Sequence, residues 1–273
     1  MVVIDTVLTP LVQGLTTNTV YFPDNKRMFL ADLHVHSKFS DGSLTISELV
    51  DFYGEKGFGA IAITDHLCEK YTFLGIAARY LDVTLNEKTF PLYLDTIAHE
   101  AKRAWRKYRM VVIPGFELTK NSLRNHRSAH ILGLGVNQFV SADKDVLDLA
   151  RAVRAQGALS IAAHPVPTGK AEIQTLHLWN RREELKNEFD AWEVASGTKM
   201  FNQVLRSGLP MIATSDFHTP KNITGWKTKF YCEKHSEAIL QAIRDQDLNF
   251  QFYKQHQSEL TALGLQQRLL RTV

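Results

Sequence analysis

The sequence predicts one α/β domain whose parallel strands close, or nearly close, into a barrel. Short apolar runs alternate with helical segments roughly every 25 to 40 residues, which is the pattern of parallel βα units. Seven such strands precede residue 216, too many for a small open sheet. With 273 residues, 44% of them hydrophobic, the chain is long enough to fill one barrel-sized core. We expect the barrel domain over residues 28–250.

The charge, the cysteine content and the hydropathy of the sequence indicate which partners and which compartment to expect. The net charge is +3, but basic and acidic residues are mixed along the chain, which argues against duplex DNA as a partner and suits a small anionic substrate. Cys68 and Cys232 are isolated, as expected of free thiols in a reducing compartment. The first residues are apolar but show neither the basic n-region nor the uninterrupted h-region typical of a secretion signal, and no apolar run reaches about 18 residues. We therefore expect a cytoplasmic protein without a membrane partner.

The chain begins with residues that show little pattern and then a strongly patterned strand. Residues 1–27 predict an extended arm or an extra strand. In residues 28–36, a period of two places Asp32, His34 and His36 on one face, opposite an apolar face. Thr45 and Glu48 then form a capping box, which predicts a helix over the amphipathic run that ends at Gly57.

The middle of the chain repeats the strand and helix alternation. A strand over Ala60–Thr64 ends in Asp65 and His66, and residues 68–90 read as a lid or a surface excursion. A helix with a proline in its first turn follows, and then a strand that runs to Glu117. The later predicted elements are a basic loop at Lys120–Arg127, a strand at Ala129–Val136, a helix at Ala142–Gln156 and a strand at Ala158–Ala163.

The last part of the chain contains two more strands of the predicted barrel. A helical stretch over residues 171–187 leads to a strand at Phe189–Val194, which contains Glu193. A helix at Lys199–Arg206 precedes a strand at Pro210–Thr214, which runs out to Asp216 and His218. We expect one more short strand after residue 228, then two helices, with residues 251–273 as a helical tail.

Metal-binding side chain types recur at or just after the predicted strand ends, where a βα barrel places its active site. They are His34, His36, His66, Glu117, His164, Asp216 and His218. His130, near the start of its strand, fits this pattern less well. A single histidine at a strand end is more often structural than a ligand. Their coincidence over six strands favours a site, because cations would satisfy such a buried polar cluster.

Six short motifs in this sequence resemble those of a known protein family. The segments DLHVHSKFSDG, AITDH, PGFE, AHILG, AAHP and TSDFH, between Asp32 and His218, resemble in order those of the PHP (polymerase and histidinol phosphatase) family. The resemblance implies a distorted (β/α)7 barrel with two or three divalent metal ions at its C-terminal mouth, acting on phosphate esters. The donor set suits Mn, Fe or Zn, and the sequence does not choose among them.

The resemblance also implies a ligand set. One metal would be held by His34, His36, Glu117 and Asp216. Glu117 would bridge to a second metal, held also by His130 and His164. A third metal position would be formed by Asp41, His66 and His218. Many relatives carry His where this chain has Asp41, and the SDG sequence is similar to the branch that includes small-nucleotide phosphoesterases. Glu193 matches a position that is often acidic, with a role beside the ligands or in the structure.

The chemistry of such a site predicts direct hydrolysis. Two metals about 3.5 Å apart share a water and present it as a bridging hydroxide to phosphorus. Asp65 or Asp216 would orient the nucleophile, and His218 would protonate or stabilise the leaving alkoxide, so the predicted catalytic residues are Asp65, Glu117, Asp216 and His218. Basic residues in mouth-facing loops are candidates for holding the phosphate: Lys120, Arg124, Arg127, Lys170 and Lys199.

Several functions remain open at this point. The main hypothesis is a metal-dependent phosphoesterase acting on a small phosphorylated metabolite or a short nucleotide. Histidinol phosphatase and 3'-5' exonuclease are the alternatives within that chemistry. A metal-dependent amidohydrolase is a further alternative, since similar barrels host both reactions. A non-catalytic PHP-like binding module is the alternative of another class.

Overall fold

The computed structural model describes residues 28–81, 83–122, 127–166 and 175–254. Within them, eleven strands form one curled sheet with helices packed against it. The strands are β1 (Phe29–Val35), β2 (Ala60–Ile63), β3 (His66–Cys68), β4 (Val111–Lys120), β5 (Ala129–Leu134), β6 (Leu159–Ala163), β7 (Ala191–Ser196), β8 (Lys199–Met200), β9 (Met211–Thr214), β10 (Gly225–Phe230) and β11 (Leu248–Tyr253). The helices are α1 (Ile46–Glu55), α2 (Phe73–Tyr80), α3 (Phe90–Tyr108), α4 (Val146–Arg154), α5 (Leu176–Asn180), α6 (Arg182–Leu185), α7 (Asn202–Leu205) and α8 (Ser236–Asp245).

The sheet mixes parallel and antiparallel pairs. Its order is β11-β10-β1-β2-β4-β5-β6-β7-β8, with β3 beside β4 and β9 beside β7. The neighbours β1, β2 and β4 are parallel, as are β6, β7 and β9, but β5 runs antiparallel to both of its neighbours. The prediction of uniformly parallel units was therefore wrong at β5. It was also wrong at the edge, where β10 pairs antiparallel with β1 and β11.

Hydrogen bonds bring the segment after β9 against β1. The backbone N–H of His36 donates to the Phe217 carbonyl at 2.8 Å, and the Phe217 N–H donates to the His34 carbonyl at 3.0 Å. This contact joins the first strand of the curl to the last parallel one. The curled α/β sheet is consistent with a TIM-type arrangement.

Two hydrophobic clusters stabilise the curl. One contains the strand residues Ala31, Leu33, Ile161 and Ile212 together with α8 residues such as Ile239. The other lies between the sheet and α1, α3 and α4, and includes Val35 and Trp192. Burial of these apolar side chains on both sides of the strands is the main force that positions the strand ends.

An irregularity in β1 changes which face each side chain occupies. The pairing of β1 with β2 shifts between Asp32 and Val35. As a result, Leu33 and Val35 belong to different hydrophobic clusters rather than to one apolar face. The prediction that Asp32 shares a face with His34 and His36 was wrong. The Asp32 carboxylate instead accepts a hydrogen bond from Tyr53 Oη of α1 at 2.8 Å.

The ends of several helices lie where local sequence signals predicted them. Thr45 and Glu48 form the predicted capping box, with the Glu48 N–H donating to Thr45 Oγ1 at 3.2 Å and the Thr45 N–H donating to Glu48 Oε2 at 2.7 Å. Helix α3 carries Pro91 in its first turn and Arg106 and Lys107 in its last, as its sequence predicts.

Other elements differ from the prediction. The stretch 68–90 contains α2, and His66–Cys68 forms β3 against β4. The helix predicted from Ala142 begins only at Val146, because the Asp145 side chain caps the Leu147 N–H at 3.0 Å. Lys199–Met200 is a strand rather than the start of a helix, and β11 follows α8, so residues 251–253 of the predicted helical tail form a strand. Residues 1–27 and 255–273 lie outside the described residues.

No described helix combines the length and the apolar character that crossing a membrane requires.

Candidate metal centre

Strand order explains how the predicted ligands meet. His34 lies near the carboxyl end of β1, Asp216 and His218 follow β9, and His164 follows β6. His130 lies at the amino end of β5, but β5 is antiparallel, so that end is level with the carboxyl ends of its neighbours. His130 pairs with Thr119 of β4 and with Ala163 of β6. The apparent exception in the sequence is thus a consequence of one reversed strand.

Glu117 occupies the middle of the cluster. Its Oε1 lies 2.8 Å from His130 Nδ1 and 3.3 Å from His164 Nε2. Its Oε2 lies 2.8 Å from His66 Nδ1. The Nε2 atoms of His34 and His36 each lie 3.5 Å from Glu117 Oε2. One buried carboxylate therefore contacts imidazoles from five different sequence positions.

Two further carboxylates complete the cluster. Asp216 Oδ1 lies 3.4 Å from Nε2 of both His34 and His36 and 3.5 Å from His218 Nδ1. Asp41 lies at the outer side, with Oδ1 3.3 Å from His218 Nε2 and Oδ2 3.6 Å from His66 Nε2. The structure therefore brings the residues of the predicted ligand set into one cluster.

Three subsets of these side chains have ligand atoms that all lie within 4.8 Å of one another. They are His36, Asp41, His66 and His218; His34, Glu117 and His164; and His34, His36 and Asp216. Their boundaries differ in part from the implied sets, since His36 joins Asp41, and His130 contacts Glu117 without belonging to a subset.

Buried ligand atoms without hydrogen bonds show that the cluster suits cations. Among the described residues, His34 Nε2 and both ring nitrogens of His36 are buried and have no hydrogen-bond partner. Glu117 Oε2 is also buried and makes no contact of hydrogen-bond geometry, although His66 Nδ1 lies 2.8 Å away. Leaving such atoms unpaired in a buried place is costly. A divalent cation bound by imidazole nitrogen and carboxylate oxygen would satisfy them together.

Most of the ligand-type histidines have a partner that fixes the ring. His34 Nδ1 lies 2.9 Å from Glu193 Oε1, and His164 Nδ1 lies 3.1 Å from Thr175 Oγ1. Such partners set the tautomer and the orientation of an imidazole ligand.

Two more partners come from β4 and the residue after it. His130 Nε2 lies 2.9 Å from Asn121 Oδ1, and His66 Nδ1 lies 2.7 Å from Thr119 Oγ1. Sequence reasoning considered Glu193 but missed Thr119, Asn121 and Thr175. Thr119 would have been found only from the pairing of β3 with β4, because it lies 53 residues from His66 in the sequence.

The pKa values in the metal-free cluster follow burial and neighbouring charge. Burial, reinforced by the neighbouring His66, lowers the pKa of His36 to about 3, so this imidazole is neutral. Burial alone would raise the pKa of Glu117, but His130, His34 and His66 outweigh it and hold the pKa well below its usual range. For His218 burial acts to lower the pKa, yet Asp41 and Asp216 raise it overall.

Two site residues adopt a left-handed backbone conformation that non-glycine residues seldom use. Asp216 has φ of 52° and His164 has φ of 26°. The His164 N–H donates to Glu193 Oε2 at 2.6 Å, and the Ser215 N–H donates to Asp32 Oδ1 at 3.1 Å. These buried carboxylates hold the backbone where it carries ligand-type side chains. Strain of this kind is common at functional sites.

Asp65 has a different environment from the other predicted catalytic residues. It is buried, and its carboxylate accepts hydrogen bonds from the Ser37 N–H at 2.8 Å, Ser37 Oγ at 2.7 Å and Ser40 Oγ at 2.6 Å. Burial raises the pKa of Asp65 despite these donors. Both of its oxygens therefore hold the loop that leads to Asp41.

Glycine is required in the same loop. A Cβ added at Gly42 would lie 2.2 Å from the His36 carbonyl oxygen. The chain can therefore fold back tightly after Asp41 only without a side chain at this position.

A cavity of about 610 Å³ lies against the cluster. Lys199, one of the predicted phosphate-binding residues, lines it, and so does Lys221, which sequence reasoning missed. Lys120 instead pairs with Glu69 and donates to the Ala142 carbonyl at 3.0 Å. Arg127 is exposed, and Arg124 and Lys170 lie outside the described residues.

Sequence comparison finds one family and one curated relative. A family model described as PHP domain matches residues 32–187, more than half of the chain. A phosphoribosyl 1,2-cyclic phosphate 1,2-diphosphodiesterase from Eggerthella lenta is 28% identical over 113 residues, which are 41% of this chain and 33% of that protein. The matched stretch thus spans about a third of the relative.

Structural comparison supports the fold. A two-domain protein from Bacteroides vulgatus, described as containing a PHP-like metal-dependent phosphoesterase, aligns with a TM-score of 0.59 and 20% identity over 88% of this chain and 70% of that chain. PsfC from Pseudomonas syringae aligns with a TM-score of 0.52 and 13% identity over 89% of this chain and 99% of that one. At these identities the likeness shows a shared fold alone.

Proposed function

Since this chain belongs to the PHP domain family, we propose that it is a metal-dependent phosphoesterase that hydrolyses a phosphate ester of a small metabolite or nucleotide. One observation carries the proposal: buried imidazole and carboxylate atoms without hydrogen-bond partners converge beside an open polar cavity. The proposed architecture is the distorted (β/α)7 barrel of the family, with the metal site at the carboxyl ends of its strands.

The proposed ligand set has three parts. His34, His36, Glu117 and Asp216 would hold one cation. Glu117 would also contribute to a second position with His130 and His164, since its two oxygens face different imidazoles. The third position uses Asp41, His66 and His218, together with His36, whose Nδ1 is 3.9 Å from Asp41 Oδ1.

The metal ions supply Lewis acidity and a water of lowered pKa when they are bound. The chain itself provides orientation and proton transfer. His218 is partly exposed beside the cavity, so we assign it the transfer of a proton to the leaving alkoxide. The left-handed backbone conformation of Asp216 fixes the position of its carboxylate, and we assign this carboxylate the orientation of the attacking water. We assign Asp65 the positioning of the Asp41 loop rather than contact with substrate.

A cyclic phosphodiester is a second candidate substrate. The observation that favours it is the Eggerthella lenta relative, which is named for a phosphoribosyl 1,2-cyclic phosphate. The phosphorus atom of a phosphodiester and that of a monoester would both lie against the same metal-binding residues. The assay below therefore includes both ester types.

The test combines metal analysis with a substrate panel. The full chain is purified without chelators, its Mn, Fe and Zn are quantified, and phosphate release is measured from aryl phosphate, bis(aryl) phosphate, sugar phosphates and 3',5'-bisphosphates. We expect bound transition metal and hydrolysis of at least one ester. His34→Ala and Glu117→Gln should lower the metal content and abolish activity, whereas Asp95→Asn, an exposed change on α3, should leave both unchanged.

Two results would contradict the proposal. A wild-type protein without transition metal, and with His34→Ala unchanged in every measurement, would exclude a metal-dependent site. A protein that binds metal tightly but hydrolyses no ester would favour a non-catalytic binding module.

A further inference from the structure

We propose that Lys227, a lysine of β10 that does not line the cavity, is a positioning residue for the candidate metal centre. Its charge compensates the buried Asp32 carboxylate, and Asp32 holds the backbone that carries Asp216. This role rests on the proposed function, because Asp216 is assigned there as a metal ligand. Metal affinity would then depend on a residue that contacts neither the metal nor the substrate.

Lys227 is fully buried, which is rare for a lysine. Its Nζ lies 3.3 Å from Oδ2 of Asp32, whose side chain is fully buried as well. Within the part of the chain that the structure describes, this Nζ has no hydrogen-bond partner. Lys227 therefore offers Asp32 an opposite charge rather than a directional hydrogen bond. Because a buried charge is costly without a partner, each member of the pair depends on the other.

Asp32 uses both of its oxygens to bind neighbouring residues. Its Oδ1 accepts a hydrogen bond from the Ser215 N–H at 3.1 Å, and its Oδ2 accepts from Ser215 Oγ and, at 2.8 Å, from Tyr53 Oη. Two of these three donors thus belong to the residue directly before Asp216. Hydrogen bonds to an ionised carboxylate are about twice as strong as those between neutral groups. The charge of Asp32 therefore strengthens its hold on Ser215.

Asp216 is the residue on which this hold acts. Its backbone has φ of 52°, a conformation that persists only where the surroundings fix it. The hydrogen bonds of Ser215 to Asp32 fix the chain before Asp216, and the Phe217 N–H, which donates to the His34 carbonyl at 3.0 Å, fixes the chain after it. Without the first of these, the Asp216 carboxylate would be free to turn away from the imidazoles that it contacts.

Strand β9 has a separate attachment to β10. Thr228 Oγ1 accepts a hydrogen bond from the Ala213 N–H at 3.1 Å and donates one to the Ala213 carbonyl at 2.8 Å. This attachment does not involve Lys227 or Asp32. We therefore expect a change at Lys227 to act on Ser215 and Asp216, while β9 itself stays in place.

The experiment separates stability from metal binding by removing the two buried charges singly and together. The variants of the full chain are Lys227→Met, Asp32→Asn and the double change, with Lys229→Met, a partly exposed lysine of the same strand, as the control. Urea unfolding of the metal-free protein measures stability. Calorimetric titration of the metal-free protein with Mn, and separately with Zn, measures the number and the affinity of the bound ions. If a single variant does not fold, the double variant still provides the test.

We expect stability and metal affinity to respond differently. Lys227→Met should lower the urea midpoint markedly, and the double variant should recover most of the loss because both buried charges are gone. In the double variant the metal affinity of the position that contains Asp216 should nevertheless stay about tenfold below wild type, because a neutral amide holds Ser215 more weakly. Lys229→Met should match wild type in both measurements.

Asp216→Asn identifies which of the measured affinities depends on Asp216. Adding the double change to Asp216→Asn should lower metal affinity no further, because the effect of Lys227 passes through Asp216. A lysine that contributes only to the stability of the fold would not show this dependence.

The outcomes separate the two proposals. Metal affinity that recovers together with the urea midpoint in the double variant would overturn the role of Lys227 and leave the phosphoesterase intact. The expected loss of affinity, in a protein whose wild type hydrolyses no ester, would refute the proposed function and keep the role of Lys227. A wild-type chain that binds neither Mn nor Zn would overturn both.

Discussion

At the scale of single residues, the ligand-type atoms of the candidate metal centre differ in whether they have a hydrogen-bond partner. Ring nitrogens of the other histidines contact Glu193, Thr119, Asn121 and Thr175. The two ring nitrogens of His36 have no hydrogen-bond partner among the described residues. Buried groups of this kind are stable only when their polar atoms are satisfied. The unpaired atoms therefore mark where a cation belongs.

Asp41 provides the first test at this scale. It connects His66 and His218 and is the most exposed of the three carboxylates, with 41% of its side chain accessible. Asp41→Ala should lower the metal content by one ion per chain and leave the ions near Glu117, because the other subsets do not contain it. Metal analysis after gel filtration measures this. Asp41→His should restore the lost ion, and a full loss of metal in Asp41→Ala would contradict the assignment.

Asp65 provides a second test. If it holds the loop through Ser37 and Ser40, Asp65→Asn should weaken the Asp41 position and lower its metal affinity about tenfold, in the range found for residues that orient ligands. Ser40→Ala should have a smaller effect of the same kind, since it removes one of the donors. Metal titration of each variant gives the affinities. A variant with full metal affinity but no activity would instead indicate that Asp65 takes part in catalysis.

At the scale of elements, α1 and α3 show how packing overrides propensity. Gly54 lies in α1, and a Cβ there would lie 2.3 Å from Cδ2 of the Tyr108 ring. The ring is held because Tyr108 Oη donates to Asp51 Oδ1 at 2.7 Å. The glycine is thus a packing requirement between two helices.

Gly54→Ala should therefore destabilise the protein by about 1–3 kcal/mol through overpacking. Helix propensity alone predicts a gain of up to about 1 kcal/mol. Urea unfolding monitored by circular dichroism measures whether the substitution lowers or raises the free energy of unfolding. Glu55→Ala, an exposed neighbour on the same helix, should change the free energy of unfolding by less than about 0.5 kcal/mol. A more stable Gly54→Ala would show that the Tyr108 ring can move aside.

The ion pairs between α1 and α3 predict a pH dependence. Arg103 Nη1 lies 2.7 Å from Asp51 Oδ1, and this hydrogen bond holds the pKa of Asp51 well below its usual range. A lowered folded-state pKa contributes stability above the unfolded pKa of about 3.9, and that stability is lost as the pH falls through the folded value. Solvent screens part of the interaction, because 36% of the Asp51 side chain is accessible.

Asp51→Asn should accordingly cost about 0.5–1 kcal/mol of unfolding free energy at pH 7 and less at pH 3. Urea unfolding of the metal-free protein at both pH values measures the difference. Asp95→Asn on α3 serves as the control and should have no effect at either pH. An equal cost of Asp51→Asn at both pH values would mean that shape rather than charge is responsible.

At the scale of the whole molecule, the candidate metal centre combines distant parts of the chain. The cluster combines β1, β4, β5 and the segments after β2, β6 and β9. Cations that bind only this assembled form stabilise it by mass action. Removing them should loosen the contacts between strands that the cluster connects.

Chelation should therefore lower the melting temperature. At free metal of about 100 times Kd the stabilisation is about 2.7 kcal/mol for one site, and adding back Mn or Zn should restore it. Differential scanning calorimetry with and without metal measures the shift. Glu117→Gln should show a smaller difference in melting temperature between the two conditions, because only the position that does not contain Glu117 can still bind metal. An identical melting temperature for metal-loaded and stripped wild type would argue that the metals are not part of the fold.

The sequence by itself determined the elements that depend on local chemistry. The capping box at Thr45, the proline start of α3 and the alternation of strands with helices are properties of neighbouring residues. The ordered histidines and carboxylates at strand ends also indicated a metal site, because parallel strands deliver their carboxyl ends to one edge. Those features needed no knowledge of which strands pair.

Only the tertiary structure decided what depends on pairing between distant strands. The reversed β5 placed His130 in the cluster, and the shift in β1 turned Asp32 toward Tyr53 and away from His34. Asp65 accepts hydrogen bonds from Ser37 and Ser40, and Lys221 lines the cavity from the 3-10 helix Pro220–Ile223, which follows β9. Hydrophobic periodicity reports only whether a side chain is buried. Which neighbours surround it is set by the register of strands far apart in the chain.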